Sequence, residues 1–242
     1  MGSKGCNVHN DDDVKSGDFL ARREAARQRN DRLTGATGGD AEDRQAWFET
    51  VYLEAGGDPA AVPWADLVPK AVLVDWLAKN PGQGRRALDV ACGLGDNAEA
   101  LAAAGYKTSA FDLASEAIAW AKKRFPETAV DYIAGDLFAL PEDWKGAFDL
   151  VHECYTIQAM KDPLRADAIP AITSLVAPGG TLLLISRTRE EGSEADGPPW
   201  PLMPSEWRSF EDLGLTLKHF QDYELARPDR TIPHVIAEFR KS

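Results

Sequence analysis

The spacing of hydrophobic residues changes part-way along the chain, and this change divides it into two parts. In the first part apolar residues recur at helical intervals, which predicts helices over residues 18–33, 41–55 and 66–79. The first of these helices is mostly polar, so we expect it either to be mostly solvated or to lie over another element. The third is amphipathic and is expected to bury apolar residues that include Val74.

From Arg86 onward, short apolar runs alternate with helical stretches. The predicted strands are Ala87–Ala91, Thr108–Phe111, Val130–Ala134, Phe148–Val151 and Thr181–Ser186. The predicted helices between them are Asn97–Ala104, Ser115–Phe125 and Leu164–Val176. This alternation, with short connections, predicts βαβ units and a parallel sheet. Two further runs, Leu215–Tyr223 and Ile232–Phe239, follow each other without a helix and predict an antiparallel hairpin at the end of the sheet.

Composition and charge narrow the possible classes of partner. The chain has 242 residues and a formal net charge of −12, and this acidity disfavours nucleic acid, whose phosphates require clustered positive charge. Because no apolar run is long enough, we expect neither a signal peptide nor a membrane-spanning helix. Three widely spaced cysteines, Cys6, Cys92 and Cys154, match no zinc pattern and predict a reducing, cytoplasmic location without a bound metal.

A glycine-containing loop, residues 92–98, follows the first predicted strand and opens a predicted helix. Gly93 and Gly95 would let the backbone approach a ligand closely and direct helix N–H groups at it. Asp112 ends the second predicted strand, where a carboxylate can bind the two hydroxyl groups of a ribose. Together these features predict a nucleoside-binding crevice at the carboxyl ends of the first two strands.

Two kinds of nucleoside cofactor fit this loop. Gly93-x-Gly95-x-x-Ala98 satisfies the dinucleotide pattern G-x-G-x-x-G/A, which keeps an NAD-dependent oxidoreductase open. Asp89 before Gly93 and Asp96 after Gly95, however, flank the two glycines with negative charge. That charge is unfavourable for a pyrophosphate and favourable for a ligand that carries an amino group and a sulfonium.

Residues 86–186 resemble the Rossmann-like, class I methyltransferases that use S-adenosylmethionine. Asp89 matches the acidic residue of their first motif, Gly93 and Gly95 match its last two glycines, and Ala91 stands in place of the first glycine. The resemblance implies that Asp136 accepts from the adenine amino group and that Leu137 offers a backbone N–H. The cofactor contacts that it implies are Asp89, Ala91, Gly93, Gly95, Asp112, Leu113, Asp136, Leu137 and Glu153.

A narrower resemblance covers the segment from Trp47 to Trp64. It is similar to the N-terminal segment of the thiopurine and halide/thiol methyltransferase group. The resemblance implies that Trp47 and Trp64 cover the cofactor, that aromatic residues shape the acceptor pocket, and that the acceptor is a small molecule. The alternative is that both tryptophans are ordinary core residues.

The residues after the fourth predicted strand are candidates for chemistry on the acceptor. His152 or Glu153 would act as the general base for an acceptor that must lose a proton, with Tyr155 beside them. His152 is equally compatible with a structural role. The candidates for contact with the substrate are Tyr155, Gln158, Arg187, which would hold an anionic acceptor, and Trp200, whose alternative role is to anchor its loop.

The resemblance implies an α/β, Rossmann-like, doubly wound and mostly parallel seven-stranded sheet, with a C-terminal antiparallel hairpin and an N-terminal helical cover. We expect residues 1–17 to form a disordered arm and residues 1–40 to comprise this arm and the polar helix. Residues 41–242 would form one methyltransferase domain, with the cover over 41–80 and the cofactor-binding core over 86–242.

The predicted function is in-line transfer of a methyl group from S-adenosylmethionine to a sulfur, nitrogen or oxygen atom of a small molecule. The cofactor supplies the electrophile, so the protein chiefly aligns the reactants and excludes water. Three alternatives remain open at this point: an NAD-dependent oxidoreductase, a cofactor-binding protein without catalysis, and a methyltransferase that acts on a basic protein.

Overall fold

A computed structural model describes residues 17–30, 32–33, 41–226 and 231–242. The predicted disordered arm, apart from Gly17, and Cys6 within it lie outside the described residues. Within the described ranges, the strands are β1 (Arg86–Val90), β2 (Lys107–Asp112), β3 (Asp131–Ala134), β4 (Phe148–Cys154), β5 (Val176–Arg187), β6 (Leu215–Ala226) and β7 (Thr231–Lys241). The helices are α1 (Gly17–Asn30), α2 (Ala41–Ala55), α3 (Ala71–Lys79), α4 (Asp96–Ala103), α5 (Ser115–Arg124), α6 (Leu164–Leu175) and α7 (Pro204–Arg208).

These seven strands of the described residues form one sheet in the order β3-β2-β1-β4-β5-β7-β6. Strands β1 to β5 pair in parallel, and β7 lies antiparallel between β5 and β6. The predicted Rossmann-like sheet with a C-terminal hairpin is therefore confirmed. Because β7 runs in the opposite direction, its first residues reach the same edge as the carboxyl ends of the parallel strands.

The two faces of the sheet pack against different helices because successive side chains alternate across a strand. Leu182 and Leu184 of β5 share one buried cluster with Ile172 of α6. Leu183, between them in sequence, belongs to a second cluster with Leu73 of α3. The long apolar run of β5 is thus explained by burial on both faces.

The helices of the N-terminal part differ from prediction in the start of the third helix and in the exposure of one side chain. The third helix begins at Ala71 rather than at residue 66, because Leu67 has φ +59° and Pro69 disfavours a helical residue before it. Val74, expected to be buried, is 44% exposed. The polar first helix lies over other elements, since Phe19 and Ala26 are buried.

Five strands, β2, β4, β5, β6 and β7, are longer than the sequence predicts, and the extensions of β4 and β5 change the assignment of neighbouring residues. β4 continues to Cys154, so His152 and Glu153 lie within the strand instead of after it. β5 begins at Val176 because residues 177–180, between the predicted helix and the predicted strand, belong to the strand, with an irregular register opposite residues 148–150. No helix in the described part of the chain is long and apolar enough to cross a bilayer.

Candidate active site

The loop between β1 and α4 turns through three residues with left-handed backbone. The φ angles are +51° at Ala91, +54° at Gly93 and +89° at Gly95. Glycine adopts this conformation without steric cost, whereas alanine there is disfavoured by about 1 kcal/mol. Ala91 therefore carries the backbone conformation of the glycine that it replaces in the motif.

Gly95 is required for space as well as for conformation. A Cβ at this position would lie 2.3 Å from the hydroxyl oxygen of Tyr132. That hydroxyl is held in place by a 2.8 Å hydrogen bond to the carboxylate of Glu99 on α4. The close approach of Tyr132 on β3 thus fixes the loop against the neighbouring strand.

Asp112, at the end of β2, braces the same loop. Its Oδ2 accepts from the Gly93 N–H at 2.9 Å and its Oδ1 accepts from the Ala114 N–H at 3.0 Å. The residue is 7% exposed, and this burial raises the pKa of its carboxyl to about 6. Asp112 also lines a large cavity at the carboxyl edge of the sheet.

The third strand brings a second carboxylate to this cavity. Asp136 caps a short 3-10 turn, and its Oδ1 accepts from the Phe138 N–H at 3.0 Å. The structural role considered for Asp136, that of a cap, is therefore present. Asp136 nevertheless lines the cavity together with Leu113 and Leu137, as do Ala91 and Gly93, whereas Gly95 does not.

A row of buried polar side chains lies behind the loop, on β1 and β4. Nδ1 of His152 is 2.6 Å from Oδ1 of Asp89, and Oε1 of Glu153 accepts from the Thr156 and Ile157 N–H groups at 2.6 and 3.1 Å. None of Asp89, His152 and Glu153 is among the residues that line the cavity. The position of His152 inside β4, completely buried, corrects the expectation that it lies at the strand end facing an acceptor.

Three polar atoms in this row are buried without a hydrogen-bond partner among the described residues. They are Oδ2 of Asp89, Nε2 of His152 and Oε2 of Glu153. Burial raises the pKa of Glu153 to about 7. A free carboxylate oxygen of Asp89, directly before the loop, fits the amino group of S-adenosylmethionine or a bridging water.

An aromatic cluster from the N-terminal part covers the cavity. The ring centroid of Trp64 lies 5.6 Å from that of Trp47, 5.7 Å from Phe48 and 5.8 Å from Tyr52. The indole N–H of Trp64 donates to the Tyr52 hydroxyl at 2.8 Å. All four rings line the cavity, and the Tyr52 hydroxyl would lie 3.3 Å from a Cβ at Gly93, so the cover reaches the glycine loop.

At the other side of the cavity, Tyr155 and His234 form a hydrogen-bonded pair. The Tyr155 hydroxyl is 2.7 Å from Nε2 of His234, and Nδ1 of His234 is 2.7 Å from the Ile232 carbonyl oxygen. Because a carbonyl only accepts, Nδ1 of the neutral ring carries the proton and Nε2 accepts from Tyr155. Tyr155 has φ +69°, a conformation rare for a bulky residue and concentrated at functional sites.

Two neighbours hold this pair in place. Nζ of Lys70, which is paired with Asp66, lies 4.3 Å from the centroid of the Tyr155 ring. The ring of Tyr223 stacks on His234 with centroids 5.2 Å apart. Sequence reasoning found no partner for His234. The strand register identifies its neighbours, because β7 pairs His234 with Arg187 on one side and with Tyr223 on the other.

The remaining substrate candidates divide into two groups. Gln158 and Arg187 line the cavity, and Oε1 of Gln158 accepts from the Arg187 N–H at 2.7 Å. Trp200 is not among the lining residues, and its indole packs directly over Gly197. The structure therefore places Trp200 as an anchor of its loop, while the preceding Pro198 and Pro199 face the cavity.

The cavity has a volume of about 450 Å³ and joins all these parts. That volume falls in the range of sites for cofactors and small molecules. The described residues contain no group of three or more His, Cys, Asp or Glu side chains that could hold a metal ion. The loop, the two carboxylates and the aromatic cover fit a nucleoside that bears a positive charge.

Comparison with known families agrees with this geometry. Residues 87–180 match the family described as a methyltransferase domain. This segment is therefore similar to a methyltransferase domain, and it contains the glycine loop and the carboxylates on which the class I resemblance rests. The cofactor of such domains is S-adenosylmethionine, and the resemblance predicted from the motifs is confirmed at the level of the class.

Two relatives show how far the similarity in sequence extends. The methyltransferase domain is similar to a ubiquinone biosynthesis O-methyltransferase of Xanthomonas campestris pv. campestris, with 38% identity over 121 residues, 49% of this chain and 50% of that protein. It is also similar to a demethylmenaquinone methyltransferase of Renibacterium salmoninarum, with 33% identity over 115 residues, 48% of this chain and 46% of that protein. The chain thus spans about half the length of these curated relatives.

Solved structures extend the likeness to the fold. A protein from work on the conversion of a disulfide bond into a thioacetal group during echinomycin biosynthesis gives a TM-score of 0.66 at 20% identity, covering 82% of this chain and 93% of that one. The N-methyltransferase NodS from Bradyrhizobium japonicum WM9, in complex with S-adenosyl-L-homocysteine, gives 0.56 at 20% identity, covering 70% and 84%. At these identities the likeness concerns the fold alone.

Proposed function

We propose that this methyltransferase domain transfers a methyl group from S-adenosylmethionine to a small-molecule acceptor bound under the aromatic cover. One observation carries the proposal: a single cavity joins Asp112 and Asp136 at the cofactor edge to Tyr155 and His234 at the opposite side. A cavity of this size admits a small acceptor beside a nucleoside.

Within this proposal the chain's own residues divide the work. When bound, S-adenosylmethionine supplies an electrophilic methyl group. Asp112 would hold the ribose hydroxyls, and Asp136 and Leu137 the adenine. Asp89, which lies behind the cavity lining, would hold the amino group through a bridging water. Trp47 and Trp64 exclude water from above and present aromatic faces, which attract a sulfonium.

The Tyr155–His234 pair is our proposed proton acceptor. The O–H, S–H or N–H bond of the acceptor breaks, its proton passes to the Tyr155 hydroxyl oxygen, and the Tyr155 proton passes to Nε2 of His234. The electron pair stays on the acceptor atom, which becomes the nucleophile. This role falls to Tyr155 rather than to His152 or Glu153, because both of these are buried away from the cavity lining.

The class of acceptor is the part of the proposal with two candidates. The named relatives are a ubiquinone biosynthesis O-methyltransferase and a demethylmenaquinone methyltransferase, and the first of these names favours an oxygen acceptor. The thiopurine and halide/thiol resemblance favours sulfur, and it rests on the aromatic residues that line the cavity. A cytoplasmic location, predicted from cysteine usage, belongs to the same proposal.

Equilibrium binding and turnover test the proposal in sequence. S-adenosylhomocysteine should raise the melting temperature of the protein, and NAD should not. A screen of phenols, catechols, thiols and amines with methyl-labelled cofactor should then give a labelled product. Stabilisation by NAD in place of S-adenosylhomocysteine would overturn the proposal, and cofactor binding without turnover of any acceptor would favour a protein without catalysis.

A further inference from the structure

Two carboxylates and two guanidinium groups line different parts of the cavity, while Arg187 adds a positive charge at the end of β5. The sheet edge contributes Asp112 and Asp136, whereas the N-terminal helices contribute Arg27 of α1 and Arg44 of α2. Other charged lining residues have partners close by, such as Lys70, which is paired with Asp66. The cavity therefore has an acidic side at the cofactor motifs and a basic side at the cover.

Arg44 is buried, and the described residues supply no acidic partner for it. The residue is 7% exposed, its Nη2 donates to the Ala159 carbonyl oxygen at 2.7 Å, and its guanidinium carbon lies 5.5 Å from the Phe48 ring centroid. Within the described residues, no carboxylate oxygen lies within 4.0 Å of the guanidinium nitrogens of Arg44 or Arg27. Burial lowers the pKa of Arg44.

A buried charge without a counter-charge is unfavourable. Among the described residues, Arg44 is such a charge at the wall of this cavity. The backbone carbonyl of Ala159 occupies one Nη2 proton, and no other described residue pairs with the rest of the guanidinium. A planar guanidinium binds a carboxylate through two parallel N–H bonds, which a lysine cannot do. An anion on the ligand would supply the missing partner.

We propose that the methyl acceptor is an organic acid, with an apolar, aromatic-sized body and a carboxylate that Arg44 binds, with a smaller electrostatic contribution from Arg27. This inference rests on the proposed function and names the class of its substrate. Phe48 beside Arg44, and Trp64 beside Phe48, supply the apolar surface for the body. The acid would lie between the basic cover and a cationic cofactor, so that both charges favour its binding.

Binding can be measured without turnover. The protein is saturated with S-adenosylhomocysteine, and 2-naphthoate and its neutral match 2-naphthamide are titrated in calorimetry. We expect the carboxylate to bind at least about tenfold more tightly than the amide, since a hydrogen bond to a charged group is stronger than one to a neutral group. The preference should weaken as salt concentration rises.

Variants assign the effect to Arg44. Arg44→Met keeps an apolar stem over Phe48 and should lose about tenfold in affinity for naphthoate and little for naphthamide. Arg44→Lys keeps the charge without the fork and should lose less. Arg27→Met should lose least, and Arg29→Met, on the same helix but exposed and outside the cavity, is the matched control and should change nothing.

Two results would overturn the organic-acid proposal. The first is a wild-type protein that binds naphthoate no better than naphthamide, or not at all. The second is an Arg44→Met or Arg44→Lys variant that binds naphthoate as tightly as the wild type while S-adenosylhomocysteine still raises its melting temperature. Failure of S-adenosylhomocysteine to stabilise the wild type would instead overturn the proposed function itself.

Discussion

The cofactor edge and the acceptor side of the cavity are built in different ways. The cofactor edge uses short stretches that follow β1, β2 and β3, and each stretch is shaped by its own backbone. The acceptor side is assembled from Arg44 on α2, Tyr155 after β4 and His234 on β7. Local backbone demands leave a recognisable motif, whereas side chains brought together by strand register leave none.

The largest effect should follow a change in the rigid backbone of the cofactor edge. Gly95→Ala should lower the free energy of unfolding by about 3 kcal/mol, because its Cβ would meet the Tyr132 hydroxyl at 2.3 Å and its φ is +89°. Chemical denaturation measures the loss. Gly192→Ala, at φ +75° with open space around it, is the control and should lose about 1 kcal/mol. Equal losses in the two variants would contradict the steric argument.

On the acceptor side, we expect a loss of rate without a loss of cofactor affinity. Tyr155→Phe and His234→Gln should each lower kcat about a hundredfold with an acceptor found in the screen, because the proton loses its path. The affinity for S-adenosylhomocysteine should stay unchanged. Tyr223→Phe keeps the ring that stacks on His234 and serves as the control. Normal turnover by Tyr155→Phe at neutral pH would remove the pair from the mechanism.

A third prediction uses the buried carboxylate of Asp112. Since burial raises its pKa to about 6, the ionised form that accepts from ribose hydroxyls is lost as pH falls through that value. Affinity for S-adenosylhomocysteine should then fall by about tenfold per pH unit below the pKa. Calorimetry from pH 7.5 downward measures it. Asp112→Asn should bind weakly at every pH, and a wild-type slope that persists in Asp112→Asn would assign the titration to another group.

The same shift has the opposite sign for the stability of the cofactor-free protein. The pKa of Asp112 is higher in the folded protein than its ordinary value of 3.8. The folded state therefore binds more protons between these two values, and the contribution of Asp112 to stability decreases as pH rises from about 4 to about 6. Ionisation of Asp112 thus favours the cofactor while it disfavours the empty fold.

The smallest effect should come from the alanine in the glycine loop. Ala91→Gly should raise the free energy of unfolding by about 1 kcal/mol, because glycine adopts φ +51° without steric cost. Affinity for S-adenosylhomocysteine should not change. Ala98→Gly, in a right-handed helix, should instead destabilise the protein by about 1 kcal/mol. Destabilisation by Ala91→Gly would show that the strain at Ala91 is relieved elsewhere.

The sheet could be predicted almost completely, because its strands are buried, apolar and separated by clear helix stops. A predicted strand end was wrong where a polar residue continues the strand, as His152 does in β4 through its contact with Asp89. The predicted start of the third helix was wrong because nothing in the sequence indicates the left-handed backbone of Leu67.

The candidate site was predictable on one side. Asp112 and Asp136 follow predicted strands, so the parallel topology alone brings them to one edge. His234 lies on a strand whose neighbours follow from the order β5-β7-β6, and that order is not evident from the spacing of apolar residues. Arg44 reads as one surface charge on an amphipathic helix until the cavity beside it is known.

The extent of the matched methyltransferase segment has a consequence for how such proteins diverge. Residues 87–180 include Asp112, Asp136 and Tyr155 but exclude both Arg44 and His234. A duplicated copy could therefore exchange its acceptor through substitutions in α2 and β7 while every cofactor motif stayed intact. Two such enzymes would then remain similar over residues 87–180 although they no longer share a substrate. Their sequences would differ chiefly in the segments before and after these residues.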